Sequence, residues 1–253
     1  LLEEPCAKTL EVGEWLIDMT KESLRSTTLY CFSPAVMALT CVIESCLALY
    51  TLARYRGKVG QLAVYTLLCL ASFQFAEYQV CDVSNAYHMV WTRFGLVGIS
   101  FLPALGVHIA SVLTKRSPLV WIGYAVATFF ALCWIFVPSA ANTAYCLGNY
   151  TLFTIANPYL STGYQWYYFG FILVGMTQSI VGWFIAGKVS KKIKQARIWL
   201  LVGYLSFTVP MAVVAYLYSQ DKGGTVSIMC GFALIFAILL AMQVVPLAEA
   251  KKA

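Results

Sequence analysis

The sequence predicts an all-α integral membrane protein: a seven-helix bundle, N-terminus outside and C-terminus cytoplasmic, with an amphipathic helix ahead of the first span. Three observations carry that fold class. Seven apolar runs cross the chain, at Pro34–Ala53, Val59–Val80, Tyr87–Leu113, Pro118–Val137, Gly163–Gly187, Ile198–Tyr218 and Thr225–Leu247. Most reach about 20 residues, enough at roughly 1.5 Å per residue to cross a hydrocarbon core of about 30 Å. Every second loop is basic: Arg54/Arg56/Lys58, Lys115/Arg116 and Lys188/Lys191/Lys192/Lys194/Arg197, with Lys251/Lys252 beyond the last run, hold most of the 17 basic residues. That alternation puts those loops and the C-terminus on the cytoplasmic side. Composition agrees, because 60% hydrophobic and 11% charged residues over 253 positions is far from the balance of a soluble domain.

The organisation follows from these runs. Residues 1–30 are polar and mixed in charge, with Glu3, Glu4, Glu11, Glu14, Asp18 and Glu22 against Lys8, Lys21 and Arg25. Leu10, Trp15, Leu16, Ile17, Met19 and Leu24 gather on one side of a helix, so this segment is expected to lie on the outer surface, docked on protein. Residues 31–248 form the transmembrane domain and 249–253 a short basic tail. No basic start followed by an apolar core appears in residues 1–30, so no cleavable signal is expected. The formal charge of +6 belongs to loops that face anionic headgroups and implies no nucleic acid.

The loop 138–162 is the longest connection and carries no charge. Asn157-Pro158 is a turn signal, and Asn149-Tyr150-Thr151 is an acceptor pattern for N-glycosylation on the outer side. Cys41, Cys46, Cys69, Cys133 and Cys230 fall inside the runs as small packing residues. Cys6, Cys31, Cys81 and Cys146 fall toward the outer side, where a Cys81–Cys146 bridge is expected and Cys6–Cys31 is the second suggestion. Four cysteines allow three pairings, and free thiols are the alternative.

Ionisable groups inside the runs need an explanation, because each costs several kcal/mol in hydrocarbon unless paired or hydrated. Glu77 near the outer end of the second run and Arg93 in the third sit at similar depth. An ion pair between them is expected, either lining a ligand pocket or fixing helix register. Glu44 lies near the middle of the first run with no opposite charge at its depth. It is expected to be protonated and hydrogen-bonded to a polar neighbour such as Gln178 of the fifth run. His108, Gln74 and Gln243 read as interhelical hydrogen-bonding residues. Tyr164, Trp166, Tyr167, Tyr168 and Phe169 read as an interfacial aromatic belt, with a ligand cage as the sharper alternative. Pro103 and Pro210 are expected to kink their helices.

Several classes are excluded by what is missing. The seventh run has no Lys, so no retinal Schiff base forms at the position rhodopsins use. No Asp-Arg-Tyr follows the third run and no Asn-Pro-x-x-Tyr ends the seventh, against a G-protein-coupled receptor. No metal-spaced His/Cys/Asp cluster, phosphate loop or nucleophile–base pair is present, so no metal, cofactor or enzymatic activity is expected.

Phe75-Ala76-Glu77, followed after a short loop by Trp91-Thr92-Arg93-Phe94-Gly95-Leu96-Val97-Gly98-Ile99-Ser100-Phe101-Leu102-Pro103, resembles the seven-helix N-terminal sensor region of prokaryotic histidine kinases. The long outer loop, the Tyr-rich start of the fifth run and the basic Lys191–Arg197 segment are similar too, giving coverage from about Ser33 to Leu247. The resemblance implies a prokaryotic cytoplasmic membrane and a signal-input module that perceives a small or lipid-like stimulus. The sequence runs out at Glu249-Ala250-Lys251-Lys252-Ala253 without a kinase part, so the signal is expected to pass to a separate partner. The competing expectations are an accessory subunit of a larger membrane complex, with residues 1–30 and the outer loop as contacts, and then a transporter or channel lined by Glu44, Gln178 and His108. Membrane lipid and other membrane proteins, or further copies of the chain, are the expected partners.

Overall fold

In the computed structural model, α1 (Pro34–Arg54) and α2 (Lys58–Cys81) form an antiparallel pair with the most extensive packing in the molecule. The described residues are 34–81, 87–116, 119–142, 145–147, 150–152, 155, 157–184, 190–217 and 225–249. The expected helix over 1–30, together with Cys6, Cys31, Asn149, Lys188 and the tail at 251–253, lies outside them.

The third apolar run forms two helices, α3 (His88–Ser100) and α4 (Leu102–Thr114), that meet at Phe101. Pro103, in the first turn of α4, has no N–H to give the carbonyl of Ile99, and its ring excludes a regular turn there. The kink expected at Pro103 is thus a break in the hydrogen-bond ladder. Lys115 ends α4 in the left-handed conformation (φ 58, ψ 31), which lets the amide of Arg116 reach back to the carbonyl of Ser111 at 3.2 Å.

Next come α5 (Val120–Phe136) and an antiparallel hairpin of β1 (Tyr145–Leu147) and β2 (Tyr150–Leu152), which sets Cys146 opposite Thr151. The hairpin packs against α2 and α8. Helix α6 (Pro158–Phe184) begins five residues before the apolar run, because the Asn157 side chain caps it. Its Oδ1 accepts the amides of Tyr159 (2.9 Å) and Leu160 (3.2 Å), with Pro158 preset for the first turn. Helix α7 (Lys191–Leu217) likewise starts well before Ile198, capped by Ser190. The last run is α8 (Thr225–Leu239), a π turn at Leu240–Val244, and α9 (Val245–Glu249). Pro246 accounts for the π turn: it has no N–H for the carbonyl of Met242, and the amide of Val245 bonds to the carbonyl of Leu240, five residues back.

Among the described residues, five helical stretches are long and apolar enough to cross a membrane: Val36–Arg54, Lys58–Cys81, His88–Thr114, Lys191–Val213 and Gly231–Glu249. Helix α5 is apolar but 17 residues long, and α6 has 27. The chain is therefore a multi-span α-helical membrane protein. Helices α2 and α3–α4 are central, each with 67% of its apolar window buried, whereas α1 is peripheral at 28%. One end of the bundle carries Arg54, Lys115 and Lys191 and is called the basic end; the other is the hairpin end.

Candidate functional site

Helix α1 buries one narrow stripe, Met37, Thr40, Glu44, Ala48 and Thr51, at the three- and four-residue spacing that keeps side chains on a single face. Thr40 satisfies its hydroxyl locally on the carbonyls of Val36 (3.0 Å) and Met37 (2.9 Å). Glu44 does not. Its side chain is 0% exposed, and neither carboxyl oxygen has a hydrogen-bond partner among the described residues. The expected bond to Gln178 is absent because Gln178 is engaged elsewhere, its Oε1 accepting from Ser111 of α4 at 3.2 Å. From α2, Gln74 and Glu77 are buried, and Glu77 lies within electrostatic range of Glu44. The amide nitrogen of Gln74 and the hydroxyl of Thr51 also lack partners among the described residues.

Arg93 corrects the expected ion pair. Its guanidinium donates to the carbonyls of Ile135 (3.2 Å) and Pro138 (3.0 Å), and among the described residues it makes no ion pair with Glu77. A cation at the C-terminal end of α5 meets the partial negative charge of unsatisfied carbonyls there. Trp91 beside it stands edge-on to both Phe75 and Phe94. His88, which the sequence did not single out, closes the α2–α3 junction by a 3.0 Å hydrogen bond between its Nδ1 and the carbonyl of Val80.

His108 behaves as an interhelical hydrogen-bonding residue, its Nδ1 3.0 Å from the Tyr124 hydroxyl of α5. The aromatic belt is corrected in part. Trp166 is 77% exposed, but Tyr164, Tyr167 and Tyr168 are buried. They pack with Phe130 and Trp134 around Ser100, where α3 stops. The Ser100 hydroxyl donates to the carbonyl of Leu96 (2.7 Å) and accepts from the Trp134 indole (3.0 Å). The Tyr167 hydroxyl donates to the Ser100 carbonyl at 2.7 Å. In a regular helix that carbonyl would accept from the amide four residues on, that of Ala104.

Two charged residues at the basic end were not recognised in the sequence as functional. Arg197, grouped there with loop cations, is buried in α7. Its Nε and Nη2 donate to the carbonyl of Leu113 (3.2 and 2.6 Å), and its Nη1 donates to Gly182. It thereby ties together the C-terminal ends of α4 and α6, each contributing about half a negative charge. Glu249 belongs to α9 rather than to a tail. Its carboxylate accepts the amides of Gly57 (2.9 Å) and Gly60 (2.7 Å) at the start of α2. A Cβ at Gly57 would strike the carboxylate, and one at Gly60 would strike the Cβ of Tyr55 and crowd the carboxylate. The exposed Arg54, Arg56, Lys58, Lys115, Arg116, Lys191 and Lys192 surround this end.

Two apolar spaces lined by described residues stand out in the bundle. An internal cavity of about 30 Å³ is lined by Thr66, Leu70, Gly106, Tyr204, Phe236 and their neighbours. An open apolar groove of about 710 Å³ runs between α6 and α7 beside Pro210. Tyr204 directs its buried hydroxyl, unpartnered among the described residues, between Gly106 of α4 and Gly175 of α6. Cys81 is disulfide-bonded; the side chains of Cys146, Cys6 and Cys31 lie outside the described ones. Cys41, Cys46, Cys69 and Cys133 are free thiols.

Fold and site together define an integral membrane bundle whose buried Arg197 is held by helix ends and whose buried Glu44 has no hydrogen-bond partner among the described residues. Compared with known proteins, the chain matches no family model and no curated protein.

Proposed function

We propose that this chain is a non-enzymatic signal-input module of the membrane, a seven-span bundle with its N-terminus outside and its C-terminus cytoplasmic. A stimulus acts at the buried carboxyl of Glu44, and a separate partner protein reads the result at the basic end. The single observation that carries this reading is Glu44, a fully buried acid with neither oxygen bonded among the described residues. A helix interface that only had to pack would be served better by an apolar side chain of similar volume.

Helix α2 supplies the path. It packs along α1 beside Glu44, and its first turn is clasped by Glu249 of α9. A change in how α1 and α2 pack therefore acts on α9 and on the cations around it. The stimulus works by favouring one of two such arrangements. The resemblance of the Glu77–Pro103 segment to the input region of prokaryotic histidine kinases supports the same reading.

A double-mutant cycle tests it. Glu44 stands ten residues from the end of α1, roughly 15 Å from the clasp, and sites that far apart ordinarily add within about 0.5 kcal/mol. Unfolding free energies of Glu44→Gln, Glu249→Gln and the double variant in detergent should give a coupling of about 1 kcal/mol or more. Additive values would overturn the proposal.

A further inference from the structure

Taking the bundle as a signal-input module, we propose that the ligand of Glu44 is the proton. The geometry leaves space for nothing larger. Both carboxyl oxygens are sealed from solvent as well as unbonded. Neither the internal cavity nor the α6–α7 groove includes Glu44 in its lining, so a molecule in either space does not meet the carboxyl. With almost no accessible surface on either oxygen, an organic amine or hydrated ion has no opening at which to touch the carboxyl among the described residues. A bare cation would need several oxygen ligands around it, and among the described residues no group of three or more His, Cys, Asp or Glu is placed to hold a metal. A proton needs neither room nor a ligand shell.

The chemistry is a simple association. A carboxylate oxygen takes a proton from solvent, one O–H bond forms, none breaks, and the side chain goes from one negative charge to none. α1 packs on α2, α8 and the π turn. The titratable side chains on those elements are Lys58, Tyr65, Cys69, Glu77 and Tyr78, the bridged Cys81, and Cys230, with none on the π turn. Among those whose side chains are described, Glu77 lies in electrostatic range of Glu44, together with Cys41 of α1 itself. With the proton bound, α1 and α2 pack around a neutral group. Once it leaves, a negative charge without a donor faces a second acid, and the α1–α2 interface loosens. α2 is the helix that Glu249 clasps, so the proton is read at the basic end.

Infrared difference spectroscopy and amide exchange on the full chain in neutral-lipid nanodiscs, each followed against pH, test this. The expected result is a protonated-carboxyl band that titrates, disappears in Glu44→Gln and survives in Glu77→Gln. Exchange at Gly57 and Gly60 should change several-fold with the same midpoint. A parent without a titrating band, or a band unaffected by Glu44→Gln, overturns the proton proposal. If Glu44→Gln still alters exchange at Gly57 and Gly60 in that case, the sensor reading survives without it. A titrating Glu44 band with no change at Gly57 and Gly60 keeps the proton site and removes the sensor reading.

Discussion

The hydroxyl of Tyr167 fills the break that Pro103 opens in the third span, donating to the carbonyl of Ser100 at 2.7 Å. A side chain from α6 thus supplies the donor that the carbonyl would otherwise take from its own helix. Tyr167→Phe leaves the Ser100 carbonyl in an aromatic pocket without that donor. The expected loss is about 1–3 kcal/mol, seen as a lower Tm in detergent; an unchanged Tm would mean that the helix end re-pairs without help.

Arg197 joins α4 to α6 through a guanidinium fork that reaches the carbonyls of both Leu113 and Gly182. Lysine keeps the charge but cannot span two acceptors in that geometry. Arg197→Lys is expected to cost about 2–3 kcal/mol in chemical unfolding. A loss near zero would show that charge alone suffices.

Tyr204 offers a test of the opposite sign. Its hydroxyl is buried between Gly106 and Gly175 without a partner among the described residues. Tyr204→Phe should therefore leave Tm unchanged or raise it. Gly106→Ala should lower stability by about 1–3 kcal/mol through collision with that hydroxyl, and most of the loss should vanish in the Tyr204→Phe background. Persistence of the full loss there would place the collision elsewhere.

Lys115 holds a left-handed conformation with a side chain that does not favour it (φ 58). Lys115→Gly removes that conflict and is expected to stabilise by about 1 kcal/mol. A decrease would reveal a role for the lysine that offsets its backbone strain.

Much of this was written in the apolar pattern. Run limits located α1 and α2 to within a residue or two, and the loss of an N–H at Pro103 put the break in the third span where it occurs. Helix starts were read late at α6 and α7, because Asn157 and Ser190 cap them with polar chemistry that a hydrophobic run does not register. Depth alone suggested pairing Glu77 with Arg93, but helix depth says nothing about azimuth. The guanidinium turned instead to the free carbonyls ending α5. Arg197 was recoverable: it shares its three- and four-residue spacing with Leu200, Tyr204 and Phe207, all buried, a stripe hidden by the lysines before it. Glu249 was not, since its partners are backbone amides nearly 190 positions away, which side-chain patterns do not encode.

Central to the account is communication between Glu44 and the clasp of Glu249 on α2. Amide hydrogen exchange at Gly57 and Gly60, compared between the parent and Glu44→Gln in the same nanodiscs, addresses it most directly. The account predicts a several-fold difference in exchange at those two amides, although the substitution lies roughly 15 Å away along α1. Identical exchange in the two proteins would contradict it.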